Sequence, residues 1–75
     1  MRPLVWPGDV PPDLRKIIER VCTEREIEVL KLKAAGYGRR RMALILGLSE
    51  SAIRSRLTSA DRKIRAEVAA MRGVA

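Results

Sequence analysis

The 75-residue sequence has no histidine and no phenylalanine, a single cysteine, and only two aromatic residues, Trp6 and Tyr37. Each shortage removes a class of function. Without histidine, and with Cys22 as the lone thiol, neither an internal disulfide nor a cysteine-based metal cluster can form. Cys22 lies between Val21 and Thr23, where a small, half-buried thiol is the expected reading in preference to a redox switch. The nine carboxylates are interleaved with Arg and Lys at ion-pair spacing. They supply no set of acid, base and nucleophile, so the chain is expected not to be an enzyme, and no cofactor is implied. A core without Phe must be aliphatic. No run approaches the ~20 apolar residues of a membrane span, and the N-terminus lacks a signal-peptide core. A cytoplasmic protein with no membrane partner is expected.

What the sequence has in excess is positive charge. Sixteen Lys and Arg against nine acids give +7. Residues 1 to 37 carry seven bases and six acids, whereas residues 38 to 75 carry nine bases and three acids. A basic surface confined to one half of a small chain favours a polyanion, and nucleic acid is the commonest one. The competing use of such a face is simple solvation.

The N-terminal residues 1 to 11 form a Pro-rich arm, since all four prolines lie within MRPLVWPGDVPP. Pro7 and Gly8 suit the two central positions of a type II turn. Leu4, Val5 and Trp6 are its apolar part, with Trp6 expected to fold back as a lid. Arg2 entering a DNA groove is a sharper but less supported idea. A domain of residues 12 to 72 follows, and residues 73 to 75 are a tail. The first helix is expected from Pro12 to Val21, with Leu14, Ile17, Ile18 and Val21 on one stripe. Thr23 and Glu26 stand three apart as a capping box for a second helix running to Ala35 and stopping at Gly36. Its apolar residues fall on two sides, Ile27, Leu30 and Ala34 against Val29 and Leu32. That pattern needs two neighbours, the first helix on one side and the C-terminal half of the chain on the other. Tyr37, in the bend Gly36, Tyr37, Gly38, is read as a core plug whose hydroxyl reaches the edge.

The chain is organised around what comes next. A short helix from Arg39 to Leu46 is expected to turn its Met42, Ala43, Ile45 and Leu46 inward. Gly47 then takes a left-handed conformation, Leu48 plugs the corner, and Ser49 caps a longer helix from Glu50 to about Arg72, ahead of Gly73. Along that helix Ile53, Leu57, Ala60 and Ile64 recur at helical spacing. Two helices meeting steeply across such a turn are the pattern of a DNA-binding helix-turn-helix. The expected fold is therefore all-α: a small four-helix domain with a C-terminal helix-turn-helix and an extended recognition helix.

The residues carry a resemblance as well. Thr23, Arg25, Glu26, Glu28, Val29, Leu30 and Gly36 are followed by Met42, Ala43, Leu46, Gly47, Leu48 and Ser49, then by Ala52, Ile53, Ser55, Arg56 and Leu57. This order resembles region four of the bacterial sigma factors and, more distantly, the LuxR-type DNA-binding domain, over roughly Leu14 to Arg65. Residues Ala60 to Arg65 look like the basic tail of the sigma factors. The departure is at Gly38 and Arg39 to Arg41, where those families often have a Ser followed by acids.

Three arginines in the first turn of a helix oppose its dipole, at ~0.3–1 kcal/mol each when exposed, and nothing in folding asks for them. A phosphate would reverse the sign, so Arg39, Arg40 and Arg41 are read as phosphate clamps. Ser51, Arg54, Ser55 and Thr58 lie opposite the apolar stripe and are the base-edge candidates, Arg54 being suited to guanine. Arg56 and Arg62 sit where phosphates would flank the groove. The Glu50 carboxylate has two available uses, accepting from a cytosine amine or serving the helix dipole, and the dipole is the preferred reading. Ile64, Val68 and Met71 extend the stripe beyond what one domain needs and are candidate homodimer contacts, with packing on the first helix or the arm as the competing use. The expectation is sequence-specific binding of double-stranded DNA by a transcription regulator resembling a free-standing region four. Two alternatives stay open: an interaction protein docking on RNA polymerase or an anti-sigma factor, for which the apolar Leu44 speaks, and a DNA-packaging or replication accessory.

Overall fold

The computed structural model describes residues 5–73, and among them are four helices and no strand. These are α1 (Pro12–Val21), α2 (Glu24–Ala34), α3 (Arg39–Leu46) and α4 (Glu50–Arg72). Arg2, Leu4 and the last two residues of the tail lie outside the described residues.

Local chemistry sets each boundary. Pro12 opens α1, where a missing amide costs no hydrogen bond. Thr23 caps α2 reciprocally: its hydroxyl accepts from the Glu26 amide at 3.2 Å, and the Glu26 carboxylate accepts from the Thr23 amide at 2.7 Å. The helix ends one residue earlier than the sequence suggests, with Ala35 as its cap and Gly36 at φ 98°. Gly36 lets the chain reverse so that the Tyr37 amide reaches the Leu32 carbonyl at 3.1 Å, closing a Schellman motif. The same device recurs after α3. Gly47 sits at φ 67°, and the Leu48 amide reaches the Ala43 carbonyl at 2.9 Å. Ser49 then starts α4, accepting from the Ala52 amide at 3.0 Å.

The longest helix is the hub. Each of α1, α2 and α3 packs on α4, and α2 also touches α3. The core is aliphatic apart from one thioether: Val29 and Leu32 from α2, Met42 and Ala43 from α3, and Ile53 from α4, with Leu46, Leu48 and Leu57 packed around them. At 23 residues α4 is about 35 Å long, most of the 44 Å major extent of the molecule, so it reaches beyond its neighbours.

Four expectations are corrected. First, α1 packs mainly on α4 instead of covering the second side of α2. The Arg20 to Glu67 ion pair at 3.3 Å places the end of α1 beside the distal half of α4. A stripe such as Leu14, Ile17, Ile18 and Val21 shows that a helix needs cover, not which helix supplies it. Second, Ile45 is 46 % exposed. At about 100° per residue it lies near the edge of the sector that Met42, Ala43 and Leu46 share, and an eight-residue helix has too little neighbouring surface to cover it. Third, Tyr37 is more than a third exposed, so it is no core plug. Its ring lies under the Arg41 guanidinium, 5.9 Å from the centroid. Fourth, the turn in the arm is shifted by one residue. The Val10 amide donates to the Pro7 carbonyl at 3.2 Å, leaving Gly8 and Asp9 central, and Gly8 does not take the positive φ that a type II turn with glycine third would use.

Candidate nucleic-acid interface

The rotation of α4 about its axis decides what it shows to solvent. Ile53 and Ala60 are fully buried and Leu57 is half-buried, which fixes that stripe inward. Ser51, Arg54, Ser55 and Thr58 are accordingly all exposed, as is Arg62, while Arg56 is half-buried at the flank. On α3, Arg39, Arg40 and Arg41 are exposed. Gly38 precedes them and offers no side chain to cap the helix, so no side chain competes for its first-turn amides.

The two helices meet at a shared feature. Arg39 at the start of α3 and Glu50, Ser51 and Arg54 at the start of α4 line one open depression of about 260 Å³. A residue assigned to phosphates from sequence thus stands beside two assigned to base edges. Arg40, Ser55, Thr58 and Arg62 share the exposure but are not part of that depression.

Among the described residues none of Arg39, Arg40, Arg41, Arg54, Arg56 or Arg62 forms an ion pair. Elsewhere three cations are engaged, whereas Arg15, Lys16, Arg25, Lys33 and Arg72 form no ion pair among the described residues either. Arg20 meets Glu67, Lys63 meets Glu26 at 2.9 Å, and Arg65 meets Asp61 at 2.8 Å. The stretch Ala60 to Arg65 is therefore not a uniformly available basic tail, because Lys63 and Arg65 are turned to partners of the chain itself.

Glu26 is the functional-looking residue that sequence reasoning undervalued. It is 5 % exposed, the single buried charged side chain among the described residues. One oxygen, Oε1, accepts both from the Thr23 amide and from the Lys63 ammonium. Burial opposes ionisation, but the Lys63 ammonium, the Thr23 amide and the Ser59 hydroxyl outweigh it and hold the carboxyl at about 2. The network ties the N-terminus of α2 to the middle of α4 and so helps fix the orientation of the helix that carries the exposed arginines. The capping box was visible in sequence; the partner 37 positions away was not. Burial and then the Glu26 charge push the neighbouring Cys22 thiol above its ordinary range.

At the other end, Trp6 straps two helices. Its indole N–H donates to Glu19 of α1 at 3.3 Å, and the Lys31 ammonium of α2 lies 5.6 Å from the ring centroid. Of the stripe on distal α4, Ile64 and Val68 are half-buried and Met71 is 55 % exposed.

No curated protein and no solved structure matches this chain. The family model for bacterial regulatory proteins of the luxR family (GerE) matches residues 20–70, from the end of α1 through α2 and α3 to the distal part of α4. That family is one of helix-turn-helix, DNA-binding transcription regulators, an all-α class in agreement with the four helices described above. The matched segment holds both capped turns, the core cluster between α2, α3 and α4, and the arginines Arg39, Arg40, Arg41, Arg54, Arg56 and Arg62, and the chain belongs to the bacterial regulatory proteins of the luxR family.

Proposed function

We propose that the chain regulates transcription in the cytoplasm by binding duplex DNA sequence-specifically, resembling region four of the sigma factors in its use of the motif. The segment Glu50 to Thr58 lies in the major groove, with Ser51, Arg54, Ser55 and Thr58 at base edges. Arg39, Arg40 and Arg41 sit on phosphates of one strand, and Arg56 and Arg62 flank the groove. The observation that carries this reading is the depression lined by Arg39, Glu50, Ser51 and Arg54, which sets a phosphate clamp beside base readers. The unpaired state of the arginines on this side supports it, because a guanidinium already paired with a carboxylate gains little from a phosphate.

Titration of labelled duplexes at two salt concentrations tests it. Neutralising ~4–6 phosphates makes affinity fall roughly 10²- to 10³-fold between about 50 and 200 mM salt. Arg54→Ala weakens binding at preferred sites selectively, whereas Arg39→Ala with Arg40→Ala weakens all sequences alike. Equal, sequence-independent loss in both variants refutes the assignment of base readers.

A second reading is favoured by a separate observation. Leu44 is 78 % exposed on the outer side of α3, beside the partly exposed Ile45. An apolar pair on a helix turned away from the core suits a protein partner such as RNA polymerase or an anti-sigma factor. Capture of polymerase without any shift of DNA would select this reading over the first. Pairing of two copies through Ile64, Val68 and Met71 has the exposure of Met71 in its favour, and a palindromic target recovered from random DNA is its signature.

A further inference from the structure

The depression between α3 and α4 has one acid among its four lining residues, Glu50 beside Arg39, Ser51 and Arg54. Glu50 and Arg54 stand four apart on one helix with the acid on the N-terminal side, the order and spacing that favour a closed ion pair. Asp61 and Arg65, farther along the same helix, have that spacing and do close, at 2.8 Å. Glu50 and Arg54 do not, and among the described residues neither is ion-paired at all. Both heads are open on the side that carries the unpaired arginines.

An open carboxylate on a surface that meets DNA is repelled by every phosphate. It lowers affinity for all sequences, and the loss is recovered only where a hydrogen-bond donor meets it. In the major groove the exocyclic amines of cytosine and adenine are both donors, but adenine sets its N7 acceptor beside the amine, where it repels a carboxylate, so cytosine is the better match. Glu50 is the one acid in the first turn of α4 and serves the helix dipole there, and accepting from a base is a second use of the same open carboxylate.

We infer that Glu50 is a specificity-determining residue that selects cytosine by accepting from its N4 amine, while Arg54 one turn later takes a guanine. The inference rests on the duplex-binding reading of this site. Four residues of helix rise about 6 Å, and base pairs step by about 3.4 Å, so the cytosine and the guanine fall within about two steps of each other. The adverse charge makes Glu50 a filter as well as a contact, because a site without the amine meets an uncompensated acid.

Selection of bound fragments from random duplex DNA, run with the wild-type chain, Glu50→Gln and Glu50→Ala, tests this directly. The wild type enriches cytosine at one position, with discrimination of roughly 5- to 150-fold against the other bases. Glu50→Gln moves the preference at that position toward adenine, since an amide offers the acceptor and donor pair that matches N7 and N6 of adenine. Glu50→Ala loses preference there, keeps the remaining positions, and binds non-cognate DNA more tightly than the wild type. A common set of base preferences in all three proteins overturns the inference and leaves the groove-binding reading standing. Enrichment of no sequence by the wild type overturns both. Glu50→Gln keeps the shape of the side chain at an exposed position, so its comparison with the wild type decides the matter even where the alanine variant melts early.

Discussion

Replacing Glu26 by Gln removes one charge from the network that joins α2 to α4 and leaves its shape and its capping capacity in place, since Gln also serves at the third position of a capping box. The magnitude follows from the structure. The carboxyl ionises near 2 in the folded chain against an ordinary 4.5, a difference that corresponds to at most ~3 kcal/mol of stabilisation of the charged form. Because the folded value lies below the unfolded one, this contribution is complete above about pH 4.5 and drains away as the pH falls toward about 2. Lys63 retains partial access to water, so it rehydrates when its partner is neutralised, and the loss at neutral pH is expected nearer ~2 kcal/mol than the larger cost of stranding a fully buried charge. For a domain of this size that is a drop in Tm of roughly 8–16 °C. Urea unfolding of parent and variant at pH 7, 4 and 2.5 provides the measurement. The parent should lose stability steeply between the last two conditions, while Glu26→Gln, weaker at neutral pH, should change little from this source. Two curves that fall in parallel on acidification would show that the Glu26 carboxyl does not carry the linkage, whatever the distances.

Three further outcomes follow from packing and backbone geometry. Ile53 is fully buried at the meeting of α2, α3 and α4, so Ile53→Ala is expected to cost ~2–5 kcal/mol, much of what a domain this small possesses, and calorimetry should find the variant largely unfolded at 37 °C. Gly47→Ala should cost ~1–2 kcal/mol from backbone strain alone, because φ is 67° while the space for a Cβ is empty; an unchanged Tm would show that the turn relaxes. The Cys22 thiol, raised by burial and by the Glu26 charge, should react with iodoacetamide at neutral pH more slowly than a free cysteine peptide, and Glu26→Gln should quicken it.

Helix boundaries were legible in the sequence because each is written in residues that act locally. Thr23 with Glu26, Gly36, Gly47 and Ser49 work within three to five positions of themselves: α2 and α4 begin where Thr23 and Ser49 say, and α2 and α3 end beside Gly36 and Gly47. The placement of α1 was legible only as one of two alternatives, cover for α2 or for the distal stripe of α4. Its apolar stripe and that of distal α4 are complementary, but so were the stripes of α1 and α2 as written, and choosing between them requires knowing the angle at which α4 crosses its neighbours. Ile45 was misjudged for a related reason: a short helix has few apolar positions, and counting them cannot tell a core residue from one at the rim. Glu26 shows the same limit in electrostatic form, since a carboxylate that caps its own helix looks exposed until a lysine from a distant segment closes over it.

The site was more legible than its electrostatics. Exposure of Ser51, Arg54, Ser55 and Thr58 follows from the burial of Ile53 and Ala60, and a helical wheel conveys that from sequence. What a wheel cannot convey is which cations are already engaged. Of the arginines and lysine in the second half of α4, Lys63 and Arg65 are drawn to Glu26 and Asp61, and Glu67 reaches away to Arg20 of α1. The arginines of α3 and of early α4 have no acidic partner among the described residues. Six arginines without an acidic partner, Arg39, Arg40, Arg41, Arg54, Arg56 and Arg62, are thus left on α3 and α4, and under the reading proposed above the acid left open among them, Glu50, is where that surface discriminates between sequences instead of merely attracting them.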